Sequence, residues 1–177
     1  MNFIKKLFKS LLILIVILAV VGFFLPSSTR VDRTVSISAP ADKVFPYINN
    51  FEQFNRWSPW FGIDPDASTT YSGPDEGVGA KMSWTSEHPQ VGNGSQEIVE
   101  SVANKFVRTR LDFAEQGGAE ATFSIAESGT GSDVTWAFES EWGFNLVGRY
   151  IGLMLDGMVG DMYDKGLSKL KQLVESE

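Results

Sequence analysis

The sequence predicts an α+β domain, in which a long C-terminal helix crosses one antiparallel sheet, behind a single N-terminal transmembrane helix. Three observations lead to this fold class. An unbroken apolar run covers residues 11–25. Between residues 80 and 138, short runs of alternating apolar and polar side chains are separated by turn residues, which is typical of antiparallel strands. Residues 144–174 then change to helical periodicity.

The composition limits the class of protein. The chain has 177 residues, which is room for one ordinary domain and a short appendage. It has no cysteine and a single histidine, His88, so disulfides, thiolate sites and zinc sites with several histidine ligands are excluded. We expect neither a metal nor a cofactor. All 22 acidic residues follow residue 29, whereas three of the 15 basic residues precede it, and this acidic balance argues against nucleic-acid binding.

The N-terminal apolar run has the length and the flanks of a membrane span. Residues 7–25 make about 19 residues, close to the roughly 20 that cross the hydrocarbon core. Lys5, Lys6 and Lys9 lie on its N-terminal side. By the positive-inside rule, this pattern predicts a single-pass protein of the inner (cytoplasmic) membrane. Its N-terminus would lie in the cytoplasm and its soluble domain would be extracytoplasmic.

A cleaved secretory signal is the alternative interpretation of the same run. No small-x-small cleavage motif follows it, since the chain continues as FFLP, so an uncleaved anchor is favoured. The chain then divides into two parts. Residues 1–29 form the membrane anchor and a short linker, and residues 30–177 form the soluble domain.

The soluble domain is predicted to contain a strand, two short helical pieces, about six further strands and the long helix. The helical pieces fall near residues 42–48 and 51–56. The strands, which share the apolar–polar alternation, are predicted at 31–38, around Tyr71, and at 80–84, 95–101, 106–113, 122–126 and 134–138. A continuous helix over 144–174 would be about 45 Å long, enough to cross a small sheet. Its inward face would carry Met162, Tyr163, Leu167, Leu170 and Val174.

Two stretches of this domain resemble the SRPBCC superfamily, which includes START-like and polyketide-cyclase-like domains. They are residues 33–45, RTVSISAPADKVF, and residues 49–60, NNFEQFNRWSPW. The segments YSGP at 71–74 and GVGA at 77–80 are similar to a bacterial subgroup that carries an N-terminal membrane anchor. The resemblance covers residues 30–174. It implies a helix-grip fold, a curved antiparallel sheet wrapped around the C-terminal helix, with an apolar cavity between them.

The resemblance therefore implies a membrane-anchored binding module for a lipid or another hydrophobic small molecule. Aromatic and methionine side chains on the strands, in the loop at 57–60 and on the last helix are the candidates to line its cavity. They are Trp57, Trp60, Trp84, Phe113, Phe123, Trp136, Phe138, Tyr150, Met154 and Met158. Ordinary core packing is the alternative for each strand aromatic. Trp57 and Trp60, in a proline-containing loop, are also candidates for the cavity mouth or for contact with the membrane interface.

The start of the last helix is unusual. Residues 146–159 leave hardly any polar face, and four glycines interrupt residues 148–160 although each costs about 1 kcal/mol relative to alanine in a helix. The pattern indicates a helix that is closely buried, kinked, or lining a cavity. Charges on the neighbouring strands, such as Arg108, are predicted to form ion pairs across the sheet.

Two other functions stay open from the sequence. An enzyme of the cyclase or dehydratase type would need acid–base groups in the cavity, and no catalytic residue is singled out by its spacing. The side chains that would be available are Tyr71, His88, Glu139, Tyr150 and Asp156. A domain that binds a protein partner and no small ligand is the other possibility. It predicts a cavity that is collapsed.

Overall fold

A seven-stranded antiparallel sheet forms the body of the protein. The computed structural model describes residues 2–64, 66–114 and 117–177. The strands run side by side in the order β1-β7-β6-β5-β4-β3-β2, so six consecutive strands form a meander and the first strand joins beside the last. They are β1 (Ser28–Ile37), β2 (Ser68–Ser72), β3 (Lys81–Thr85), β4 (Gly94–Val102), β5 (Phe106–Asp112), β6 (Gly118–Ser128) and β7 (Gly131–Glu141).

The helices lie at the N-terminus, after β1 and at the C-terminal end. They are α1 (Asn2–Phe24), α2 (Ala41–Val44), α3 (Pro46–Asn49), α4 (Phe51–Asn55), α5 (Leu146–Gly152), a π-helical turn (Asp156–Gly160) and α6 (Asp161–Ser176). Asn50 caps α4, since its side chain accepts hydrogen bonds from the backbone N–H groups of Glu52 and Gln53. The predicted α+β helix-grip class is confirmed.

One face of the sheet packs on α6. Val31 lies opposite Phe138 and Val35 opposite Val134, so alternate residues of β1 and β7 point to the same face. On α6, Tyr163, Leu167, Leu170 and Val174 are buried against that face, as the apolar periodicity predicts. On β5, Arg108 pairs with Glu100 and Glu120 from the two neighbouring strands, which confirms the predicted cross-strand ion pairing.

The prediction of one continuous helix over 144–174 is wrong. The segment is α5, the π-helical turn and then α6, whose 16 residues span about 24 Å. The break lies where the chain passes the guanidinium of Arg33, which contacts Asp156 at 2.9 Å and Asp164 at 3.1 Å. A Cβ on Gly160 would overlap that guanidinium. The ion pairs and this close approach account for the irregular turn.

Two of the other glycines let α5 approach the sheet closely. A Cβ on Gly148 would overlap the ring of Trp142, and one on Gly152 would overlap the hydroxyl of Thr29. The indole N–H of Trp142 donates to that same hydroxyl at 2.9 Å. Glycine is therefore retained at these positions because side chains of the sheet edge occupy the space where a Cβ would lie.

Within the part of the chain that the structure describes, one helix is long and apolar enough to cross a membrane. It covers Phe3–Phe24, and a secretory signal would have the same length and composition. Along this helix the side chains are exposed, with the exception of Gly22. Gly22 is buried because α5 lies against it, with the ring of Tyr150 and Cβ of Leu146 closest.

Candidate functional site

An aromatic cluster fills the space between the sheet and α6. We give this name to Phe54, Trp57, Trp60, Phe123, Trp136 and Tyr163. Trp136 lies at its centre, stacked on Tyr163 at a ring-centroid distance of 3.7 Å and on Phe123 at 5.0 Å. The ring of Trp57 meets that of Trp136 edge-on at 5.2 Å. Four of the predicted cavity residues are therefore brought together, and sequence reasoning missed Phe54 and Tyr163 as their partners.

Among the described residues, the side chains of the aromatic cluster fill the space between the sheet and α6, and no open cavity remains there. Trp57 is fully buried and Trp136 is 2% exposed. The position of Trp57 excludes the alternative that it lies at a cavity mouth or at the membrane interface. Two clefts lie elsewhere: one of about 100 Å³ between α4 and β2, and one of about 380 Å³ on the outer surface of α6. A ligand between the sheet and α6 therefore requires side chains or a loop to move.

Inside the aromatic cluster, a buried polar group lacks a hydrogen-bond partner. The indole Nε1–H of Trp136 is buried and has no acceptor within the described residues. The matching N–H of Trp57 donates to the carbonyl oxygen of Tyr47 at 2.9 Å. A buried donor without an acceptor costs about 1–3 kcal/mol, so a ligand oxygen that reached Trp136 would be favoured there.

A second polar feature lies farther along the same face. The side-chain amide of Gln96 donates to the hydroxyl of Thr109 at 2.7 Å, and both residues are buried.

Burial also raises the pKa of Tyr163 far above its ordinary value, so its phenol stays neutral at physiological pH.

At one end of the sheet, the inner face is less completely buried. Trp84, Phe113 and Phe138, three further predicted cavity residues, are half-buried there. The rings of Trp84 and Phe113 lie edge to face at 6.3 Å. This is the end at which β1 begins, because Ser28 pairs with Glu141 at the end of β7. We call it the α1-proximal end, since only three residues separate α1 from β1.

After α4, the loop of residues 57–64 crosses the inner face of the sheet. Trp60 packs edge-on against Trp136 of β7, at 5.8 Å, and against Tyr163. Farther along the loop, Asp64 accepts a 2.5 Å hydrogen bond from the hydroxyl of Ser86, directly after β3. This bond, and a second from the backbone N–H of Asp66, hold the pKa of Asp64 below its usual value. The loop is therefore attached at both sides of the face that it covers.

The remaining predicted cavity residues lie away from the aromatic cluster. The hydroxyl of Tyr150 donates to the carbonyl oxygen of Leu18 in α1 at 2.7 Å. Met154 and Met158 have side chains that are more than half exposed. The role of all ten residues as ligand contacts stays a prediction.

Arg149 joins the soluble domain to the end of α1. Its Nη1 donates to the carbonyl oxygens of Phe23 and Leu25 at 2.7 and 3.0 Å. Its Nε and Nη2 both donate to the carbonyl oxygen of Gly143. The last carbonyls of a helix lack intrahelical partners and carry partial negative charge, so a buried guanidinium is well placed there. Sequence reasoning did not identify the contact with α1, because Phe23 and Leu25 lie more than 120 positions away.

The side chains considered for acid–base catalysis do not converge. Tyr71 accepts a hydrogen bond from the side chain of Asn55. Glu139 points to the outer face and pairs with Arg30, and His88 lies in a turn, where its Nδ1 accepts from the backbone of Gln90. The Arg33 guanidinium lowers the pKa of Asp156 on the π-helical turn. Across the described ranges, no three histidine or acidic side chains form a group that would hold a metal ion.

A curved antiparallel sheet that holds a long C-terminal helix defines the helix-grip class of ligand-binding module. The sequence places the protein more closely within this class. The chain belongs to the polyketide cyclase/dehydrase and lipid transport family, whose model matches residues 28–175.

Solved structures share the fold at low sequence identity. A protein from Chromobacterium violaceum is 19% identical, with a TM-score of 0.53 over 85% of this chain and 99% of that one. A Mycobacterium smegmatis protein is 15% identical, with a TM-score of 0.58 over 83% and 91% of the two chains. A protein from Arthrobacter aurescens is 14% identical, with a TM-score of 0.58 over 84% and 87%. No curated protein matches the chain.

Proposed function

We propose that this protein is a membrane-anchored binding module that holds a lipid or another hydrophobic small molecule between the sheet and α6. The observation that carries the proposal is the unpaired indole N–H of Trp136 inside the aromatic cluster. An apolar ligand with one polar oxygen would match both features of this site. Membership of a family named for polyketide cyclases and lipid transport supports the same kind of ligand.

Anchoring by α1 is the second part of the proposal. The 22 residues of its apolar stretch would be about 33 Å long, matching a hydrocarbon core of about 30 Å. The lysines at the N-terminus favour a cytoplasmic N-terminus and an extracytoplasmic domain at the inner membrane. The contacts from Arg149 and Tyr150 to α1 favour an anchor that stays attached, because a cleaved signal would leave these groups without their partners.

The route for the ligand follows from the anchoring. The α1-proximal end of the sheet would face the membrane surface, because the linker between α1 and β1 is short. Trp84, Phe113 and Phe138 would then meet a lipid first, and the loop of residues 57–64 would move to admit it. Trp57, Trp60, Phe123 and Trp136 would contact the ligand deeper inside, with Trp136 donating to its polar group.

Photo-crosslinking of the full chain in lipid vesicles tests this proposal. The probe is a palmitic acid that carries a photoreactive diazirine at the end of its chain, and the labelled residues are mapped by mass spectrometry. We expect labelling of Trp84, Phe113 or Phe138 that an excess of unlabelled palmitic acid removes. Labelling confined to α1 and α5, and insensitive to the competitor, would contradict a binding site inside the domain.

A protein-interaction domain without a small ligand is the second candidate. The filled interior favours it, because this hypothesis predicts a collapsed cavity. The same experiment separates the two functions, since an interaction domain gives no competitor-sensitive label on the inner face of the sheet.

A further inference from the structure

An apolar stripe runs along the exposed side of the segment that precedes α6. Its members recur every three or four residues, which places them on one face of a helix. They are Phe144, Val147, Ile151, Met154 and Met158. Phe144 is 85% exposed, Val147 71% and Met154 64%. Contiguous exposed apolar surface of this kind marks contact with a protein or a membrane.

The segment that carries the stripe is attached to the side of α1. Tyr150 bonds to Leu18, which precedes the last residue of α1 by six positions, or about 9 Å of helix rise. The ring of Tyr150 also lies beside Gly22, 3.0 Å from where a Cβ would be. Residues 146–150 therefore lie alongside the last two turns of the apolar helix, whereas Gly152 lies beside Thr29 and Gly160 beside Arg33, both on β1.

We propose that α5 forms a second membrane contact, with the part of the apolar stripe around Val147, Ile151 and Met154 in the acyl region of the leaflet at the C-terminal end of α1. This inference rests on the proposed anchoring by α1. If Phe24 lies at the surface of the hydrocarbon core, Tyr150 lies about 9 Å below that surface. Interfacial amphipathic helices are buried by about 5–10 Å, so the level of α5 agrees with this kind of contact.

The charges of the segment are arranged in a way that permits burial. Between residues 144 and 158 the sequence has two charged side chains, Arg149 and Asp156. Arg149 is buried and its guanidinium donates to backbone carbonyls at the end of α1. Asp156 pairs with Arg33 of β1 at 2.9 Å. Charges near a membrane are tolerated when they are bonded to carbonyls, so Arg149 does not oppose the contact, and Asp156 lies outside it beside β1.

The bilayer is the occupant that the geometry favours over a soluble partner. A partner from the aqueous phase would have to enter the membrane to cover side chains level with Leu18. Lipid acyl chains surround that level already when α1 spans the bilayer. The contact would also hold the α1-proximal end of the sheet against the surface from which a lipid is taken.

Depth-dependent fluorescence quenching of the full chain tests this inference. Because the natural chain has no cysteine, single cysteines introduced by Val147→Cys and Met154→Cys accept an environment-sensitive NBD label at one site each. Leu14→Cys reports on the middle of α1, and Lys169→Cys, exposed on α6, is the aqueous control. Vesicles of equal parts phosphatidylcholine and phosphatidylglycerol carry a nitroxide near the headgroup or near the chain end.

We expect the labels at 147 and 154 to be quenched by the headgroup-proximal nitroxide at least about twofold more strongly than the label at 169. The label at 14 should be quenched most by the nitroxide at the chain end. If 14 is deep while 147 and 154 behave like 169, the second contact is wrong and the anchor stands. If 14 is not quenched, the anchor itself fails. Blue-shifted but unquenched labels at 147 and 154 would show that a second copy of the chain covers them and would overturn the inference.

Discussion

Replacing Arg149 by alanine is expected to detach α5 from α1 and to lower the free energy of unfolding by about 3 kcal/mol or more. Hydrogen bonds to charged groups contribute about 1.5–3 kcal/mol each, and this guanidinium bonds to carbonyls of Phe23, Leu25 and Gly143. Its removal leaves the carbonyl end of α1 without a cap. Thermal unfolding of the full chain in detergent micelles measures the loss, and Arg110→Ala, at an exposed arginine of β5, is the control.

An engineered disulfide reports on the detachment itself. A Cβ placed on Gly22 lies 3.4 Å from the Cβ of Leu146, close to the separation of about 3.5–4.5 Å found in disulfides. Gly22→Cys with Leu146→Cys should therefore form a disulfide on mild oxidation, and adding Arg149→Ala should slow its formation. Equal rates with and without Arg149 would contradict its role in holding the two helices together.

The second large effect is expected at the centre of the aromatic cluster. Trp136→Ala should destabilise the fold by about 3–5 kcal/mol, because it removes a fully packed ring from contact with Phe123, Trp57 and Tyr163. Chemical denaturation of the full chain in micelles measures this loss. The control variant is Phe144→Ala, which removes a phenylalanine ring like that of Phe123 but from an exposed position. We expect it to destabilise the fold far less.

The phenylalanine variants separate packing from hydrogen bonding. Trp136→Phe and Trp57→Phe remove the same volume from the same cluster, but only Trp57 has an acceptor, the carbonyl of Tyr47. We therefore expect Trp57→Phe to be the more destabilising of the two by about 1 kcal/mol. If Trp136→Phe is the more destabilising, its N–H has a role in the fold and is not free for a ligand.

Much of the sheet is predictable from the sequence, because its strands alternate apolar and polar residues. The predicted runs at 106–113 and 134–138 fall on β5 and β7, and the alternation also identifies Arg108 as an outward side chain. The edges are less well predicted. β6 and β7 both extend beyond the predicted runs, to 118–128 and 131–141, since the backbone pairing continues where the alternation fades.

The break in the last helix and the contacts of α1 could not be derived in this way. Glycines at 148, 152 and 160 signal that something unusual occurs, but they do not show that Trp142, Thr29 and Arg33 occupy the space beside them. Arg149 gives no signal either, since its partners at Phe23 and Leu25 are backbone carbonyls at the distant end of α1. Periodicity reports on which face of an element is apolar, and not on which distant segment covers that face.

In the candidate site, too, some features are predictable from the sequence and others depend on tertiary contacts. The aromatic residues at 57, 60, 123 and 136 share a location because they occupy inward positions of strands or the loop that covers them. Tyr150, Met154 and Met158 have the same apolar character but lie by α1 or in the open. Composition therefore identifies apolar surface, while its placement inside the domain or beside the anchor depends on tertiary contacts.

Native mass spectrometry of the full chain, purified in detergent, tests whether one hydrophobic small molecule binds inside the domain. After incubation with membrane lipids, we expect a mass increase of a single ligand per chain that survives removal of the detergent and is lost on unfolding. A bare chain mass after the same incubation would contradict binding inside the domain and would favour a protein partner.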